Sequence, residues 1–225
     1  MNEFFYYYFN LSVIQRYWPA MLKGFVLTIE VALLVILIGI PVGLLLAVVR
    51  TYNIKPLNWL IIFLVDLLRT LPLLVVVIVG YYALPSVGII LDPFWATVVA
   101  LSAVLAAFCE EIFWAGISSV PAGQFEAARS TGLGFNQAIF LVILPQAVKI
   151  AIPPLTNRAI AITKGTSLGS VIALQELLGV ATSSQSVAAN PSPLTLGAVL
   201  YLILFFPFVR LTRWLEKRYS RRKGA

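Results

Sequence analysis

Polar side chains interrupt stretches that are otherwise apolar enough to cross a bilayer, among them Asp66, Arg69, Glu110, Glu111, Thr166 and Ser167. An unpaired charge in such a stretch costs at least ~2.5 kcal/mol, so each needs a partner, a water-filled path or a polar solute. Asp66 and Arg69 are three residues apart, which on a helix puts them on one face within pairing reach. A buried structural ion pair and a path-lining pair are both open on this ground. Glu110 and Glu111 are adjacent and point roughly 100° apart on a helix, so at most one can squarely face a given neighbour. Either lines a path, or it sits near the inner interface and is satisfied by water. Thr166 and Ser167 belong to Lys164-Gly165-Thr166-Ser167-Leu168, a polar break in a membrane segment. Such a break is tolerated where it is buried in protein or lines a cavity, and its freed backbone groups and hydroxyls could then meet a polar solute. A harmless kink is the alternative.

A second polar interruption runs from Glu126 to Pro145. It opens Glu126-Ala127-Ala128, places a glycine at Gly132 and closes with Leu144-Pro145. A membrane domain driven by a soluble motor needs a rigid knob projecting into the cytosol. A short helix with small residues on one side can dock closely in a groove, and the glycine with the following Leu-Pro is expected to turn the chain back into the bilayer. An amphipathic helix lying on the membrane surface is the plainer alternative.

The elements that must carry these residues are transmembrane helices. Of 225 residues, 60% are hydrophobic and 11% charged, against roughly 25% charged in soluble domains, and the mean hydropathy is +0.95. The single cysteine, Cys109, excludes a disulfide framework and a cysteine metal cluster. With no histidine, neither a Ser-His-Asp set nor the commonest metal ligand can be assembled. No glycine-rich loop ending in Gly-Lys-Ser/Thr is present to cradle a nucleotide. The chain is therefore expected not to be an enzyme and to bind no cofactor or metal itself.

Residues 1–23 are aromatic and weakly charged, an interfacial lead-in. Five spans follow, at about 24–49, 57–82, 94–116, 150–175 and 194–209. Gly39, Pro41 and Gly43 in the first allow a kink and close helix approach. The stretches 83–93 and 176–193 lack Lys and Arg and read as external. Arg210, Arg213, Lys217, Arg218, Arg221, Arg222 and Lys223 make the carboxyl end strongly basic, so the positive-inside rule puts that end in the cytosol. Counting back over five spans places the amino terminus outside and the Glu126 segment inside. Arg16 and Lys23 dissent. The net charge of +7 thus tells a membrane story and does not call for nucleic acid.

The segment from Glu126 resembles the cytoplasmic coupling loop of permease subunits in ATP-binding-cassette (ABC) importers, whose pattern is Glu-Ala-Ala, three residues, Gly, nine residues, Ile, one residue, Leu-Pro. Glu126, Ala127, Ala128, Gly132, Leu144 and Pro145 fall in register, and Val142 stands where the pattern has Ile. The lead-in Val120-Pro121-Ala122-Gly123-Gln124 and the continuation Leu144-Pro145-Gln146-Ala147 are similar to the polar amino-acid uptake branch (histidine, glutamine, glutamate, arginine and opine systems). Arg69-Thr70-Leu71-Pro72-Leu73-Leu74 is similar to its Arg-Gly-Thr-Pro-Leu-Leu, with Thr70 and Leu71 as departures. Glu111-Ile112-Phe113-Trp114 is similar to its Glu-Ile-Phe-Arg, with Trp114 removing a charge that could have partnered Glu111. Gly165 stands where the branch has Asp in Lys-Asp-Thr-Ser-Leu.

The resemblance implies an all-α membrane protein of the type I ABC importer permease fold. It implies a lead-in at 1–23, a permease domain at 24–215 with its coupling loop at 117–147, and a basic cytoplasmic tail at 216–225. It further implies a multi-pass subunit of the cell (inner) membrane that moves a polar amino acid inward, as a dimer with an identical or paralogous permease. Two ABC ATPase subunits would hold ATP and magnesium, and an extracytoplasmic solute-binding protein would deliver the substrate. An amino acid presents a carboxylate and an ammonium, so a path with both signs of charge is its complement, and the surplus of acids leans toward a cationic one. An ion-coupled secondary transporter is the rival, disfavoured by five spans without an internal repeat.

Overall fold

The computed structural model describes the backbone of residues 2–220 and the side chains of 4–214. The basic tail expected at 216–225 lies outside the described side chains. The described chain is helical, without a strand, and runs as α1 (Asn2–Tyr8), α2 (Leu11–Arg50), α3 (Lys55–Thr70), α4 (Leu73–Tyr82), α5 (Pro93–Ser118), α6 (Ala122–Ser130), α7 (Phe135–Ala138), α8 (Leu144–Thr163), α9 (Leu177–Ala188) and α10 (Ser192–Ser220). Among the described residues, four helical stretches are long and apolar enough to cross a membrane, or up to five if α3 and α4 together make one span.

Several boundaries differ from those expected. Helix α2 starts at Leu11, within the aromatic lead-in, and runs unbroken for 40 residues, about 60 Å at 1.5 Å per residue. The second expected span divides at Leu71-Pro72: proline has no N–H to continue the ladder and pushes its predecessor out of helical geometry. The polar break after Thr163 is no gap, since residues Lys164–Ile172 continue as a 3-10 helix that ends where Ala173 turns left-handed at φ 65°. The stretch expected as an external loop at 176–193 contains helix α9.

Two compact units emerge. One comprises Met1–Leu37, Leu71–Ser102 and Ile160–Val209. Its core gathers Met21, Leu177, Ala181 and Leu200, flanked by Tyr17, Phe25, Leu194 and Tyr201. Glu176 is buried there and caps α9: it accepts hydrogen bonds from the backbone N–H of Leu178 (3.0 Å) and Gly179 (2.8 Å) and from Tyr201 Oη (2.7 Å). A carboxylate at a helix N-terminus satisfies orphan donors and meets the positive end of the dipole.

The other unit comprises Ile38–Thr70, Ala103–Ala159 and Arg210–Ala225. Ile61, Val65 and Ala107 pack with Leu46, Val49, Leu57 and Leu68, and Val120, Ile139, Ile143 and Ala147 form a second cluster with Phe125. Gly43 bears out the expected close approach: a Cβ there would strike Cys109 Cβ and lie 2.6 Å from Ala106 O, so α2 and α5 touch backbone to backbone.

Candidate functional site

In the second unit, the expected pairing of Asp66 with Arg69 is only a partial account. Asp66 Oδ1 lies 3.7 Å from Arg69 Nη1, and its side chain is 65% exposed. The close partner of Arg69 is Glu111, through Nη2 and Oε2. Glu111 therefore has a cation although Trp114 has replaced the arginine of the resembling motif. Trp114 meets a different cation: the Arg50 guanidinium lies over its ring at 4.3 Å, a geometry the negative ring face favours.

Arg50 in turn donates from Nη1 to Glu110 Oε1 at 3.0 Å. The two adjacent glutamates thus diverge as helix geometry requires, Glu110 to Arg50 and Glu111 to Arg69. Glu110 is fully buried, and its Oε2 has no hydrogen-bond partner. Asp66 and Glu111 are exposed on the chain, although α3 and α5 are apolar.

Two further cations bear on this group and escaped the sequence reading of site residues. Arg50 is the last residue of α2, where a basic residue closes an apolar run. Arg158, on α8, lies over the Phe108 ring at 3.7 Å, while Arg69 lies 5.4 Å from the same ring. A lone arginine amid Thr156, Asn157 and Ala159 was the available signal. Glu176 was missed as well; its signal was an acid immediately ahead of the helix-prone Leu-Leu-Gly-Val run.

Thr166 and Ser167 belong to the first unit and are not part of this charge group. Thr166 is fully buried, with an unpartnered Oγ1. Ser167 donates to Lys164 O at 3.1 Å. Gly165 packs against Leu73, whose Cδ2 lies 2.5 Å from where a Cβ would stand.

The Glu126 segment forms a knuckle in the second unit. Helix α6 starts at Ala122, four residues before the expected acid, and ends at Ser130. Gly132 adopts φ +92°, which a side chain would strain. Gly132 N–H donates to Arg129 O (3.0 Å) and Leu133 N–H to Ala128 O (3.3 Å), the double closure of a Schellman cap. Arg129 Nη1 adds a hydrogen bond to Leu133 O at 2.9 Å. Tyr52, from the turn after α2, braces the far side by donating to Asn136 Oδ1 at 3.1 Å, with its ring 5.6 Å from that of Phe135 and tilted by 53°. Glu126, Ala127, Gly132 and Pro145 are exposed, Ala128 is buried and Leu144 is half-buried.

The expected role of Leu144-Pro145 in turning the chain is overturned. The reversal occurs at 131–134, and Pro145 sits inside a helical run from Phe135 to Ile172. A π-helical turn at Ile139–Ile143 precedes it, with Leu144 N–H donating to Ile139 O. Shifting the ladder by one residue accommodates a proline that lacks a donor.

These features define an all-helical, multi-span membrane subunit with an exposed polar knuckle and charged groups on the faces of apolar helices. The chain belongs to the family of binding-protein-dependent transport system inner membrane components, which it matches over residues 39–221. It is 37% identical over 213 residues to "Probable glutamine ABC transporter permease protein GlnM" of Bacillus subtilis (strain 168), covering 94% of this chain and 99% of the relative. It is 35% identical to "L-cystine transport system permease protein TcyB" of the same organism, covering 92% of this chain and 89% of the relative. Among solved structures, the crystal structure of an amino acid ABC transporter with histidines matches with a TM-score of 0.83 and 32% identity, over 93% of this chain and 98% of that one. The chain is thus the permease subunit of an ABC importer, a membrane role in which ATP hydrolysis belongs to a separate subunit.

Proposed function

We propose that this subunit carries a polar amino acid inward across the cell (inner) membrane, and that a separate ATPase drives it through the α6–Gly132 knuckle. The substrate class follows the names of its relatives, which include glutamine and L-cystine permeases. Our division keeps a lead-in at 1–23, a permease domain at 24–215, a coupling loop at 117–147 and a basic tail at 216–225, with five spans, the amino terminus outside and the carboxyl terminus in the cytosol. A second permease, two ATPases holding ATP and magnesium, and an extracytoplasmic solute-binding protein complete the assembly.

The observation that carries the coupling reading is the exposure of Glu126, Ala127 and Gly132 on a capped, braced turn. A turn closed at both ends transmits a push without deforming. In this scheme ATP closes the ATPases, draws the paired knuckles together and tips the spans from inward-open to outward-open. Leu144 and Pro145 connect the knuckle to α8. Asp66, Arg69, Glu110, Glu111, Thr166 and Ser167 are the candidate path residues. Arg50 and Arg69 offset the acids they touch, which weakens the lean toward a cationic substrate.

The test is uptake into proteoliposomes containing permeases, ATPases and binding protein. Gly132→Asp and Glu126→Lys are expected to abolish uptake while the permease still inserts into the membrane. Wild-type uptake by both variants would refute the coupling assignment.

A further inference from the structure

Arg158, in the second unit, has no carboxylate partner among the described residues. Among the described residues, Arg50 pairs with Glu110 and Arg69 with Glu111 and Asp66, but no carboxylate lies within 4.0 Å of Arg158. Its guanidinium is instead laid on Phe108 at 3.7 Å. Stacking occupies the flat face of a guanidinium and leaves its N–H donors pointing outward in the plane, in the fork that matches a carboxylate. The group is half-buried, so it is neither sealed in the core nor free in bulk water. A cation held this way in an apolar helix carries a desolvation cost with no charge to offset it. Arg69 lies 5.4 Å from the same ring, but Glu111 already occupies it.

We propose that Arg158, positioned by Phe108, receives a carboxylate of the transported solute inside the membrane domain. The inference rests on the amino-acid reading above and deepens it, because it assigns a residue to solute recognition. Glu111 and Asp66 keep Arg69 from competing for the same carboxylate. The carboxylate is either the α-carboxylate common to all amino acids or an acidic side chain, and one panel of solutes separates the two.

The experiment uses the complete transporter in lipid nanodiscs without nucleotide or binding protein. Equilibrium binding of labelled L-glutamine, L-glutamate, L-arginine and L-cystine is measured, and the tightest ligand is compared with its α-methyl ester. Wild type is expected to bind at least one of the four and to discriminate against the ester. Losing a hydrogen bond to a charged group predicts about tenfold or more weakening in Arg158→Gln, with the ester discrimination also lost where the α-carboxylate is the group received. Arg158→Lys, which keeps the charge but not the fork, is expected to fall between. Phe108→Leu, which keeps the arginine and removes its platform, should weaken binding by a smaller factor.

A marked preference for L-glutamate that disappears in Arg158→Gln assigns the side-chain carboxylate; equal losses across the panel assign the α-carboxylate. Recovery of intact complex on size exclusion establishes folding, and if Arg158→Gln yields none, Arg158→Lys and Phe108→Leu decide. The inference is overturned if these variants bind within twofold of wild type with the ester discrimination intact, or if wild type binds none of the four. Proteoliposome uptake by wild type, run in parallel, separates the two failures: amino-acid uptake alongside either of these binding results sinks this assignment alone, whereas no amino-acid uptake sinks the proposed function.

Discussion

Arg50→Met should be among the most damaging single substitutions in the second unit, and the structure gives the reason and the size. Arg50 Nη1 is the hydrogen-bond partner of Glu110 Oε1, and Glu110 is fully buried with its second oxygen already unpartnered. Removing the arginine leaves a buried carboxylate with no donor in an apolar helix. Breaking a buried ion pair from one side costs about 3–5 kcal/mol. Because the Arg50 side chain remains 20% exposed, water already screens it, and the lower end, about 3 kcal/mol, applies. Loss of the stack on Trp114 adds about 0.5–1 kcal/mol.

The reverse change, Glu110→Gln, should cost less, because the arginine left behind reaches solvent and the amide still offers it an oxygen. The double variant, Arg50→Met with Glu110→Gln, should recover much of the loss, since no buried charge is stranded. The assay is a double-mutant cycle of unfolding free energies for the purified permease in mixed detergent and SDS micelles. A coupling energy below about 0.5 kcal/mol, or Glu110→Gln proving more harmful than Arg50→Met, would refute the argument.

Two further outcomes follow from packing and capping. Gly43→Ala puts a methyl group against Cys109 and Ala106 O, and overpacking of this kind costs about 1–3 kcal/mol; a lower unfolding midpoint in detergent checks it, and an unchanged midpoint contradicts it. Glu176→Gln keeps one acceptor for the start of α9 but loses the charge that Leu178, Gly179 and Tyr201 share. It should destabilise the first unit by about 1–2 kcal/mol, and faster hydrogen exchange at 177–181 than in wild type is the expected readout.

Much of this protein was legible from local pattern. Hydropathy marks where long apolar helices lie, because crossing a bilayer demands about 20 apolar residues whatever they pack against. α5 at Pro93–Ser118 lies within two residues of the expected 94–116. Gly132 was legible as a turn because a positive φ excludes most side chains. Leu144-Pro145 misled, because a proline rule describes a regular α-helix, whereas a π-helical turn at Ile139–Ile143 shifts the ladder and lets the helix pass.

By itself the sequence determined which residues would be costly in a membrane and where the polar knuckle would fall, since both depend on residue type and near neighbours. Only the tertiary structure decided who partners whom. Arg69 is three residues from Asp66 yet closes on Glu111, 42 positions away, and Trp114 receives Arg50 from another helix. Glu176 reads as the start of a loop until Tyr201 comes to it from α10. Charge pairing falls off over a few ångströms, so it is set by which helices touch, and no spacing along one helix encodes that.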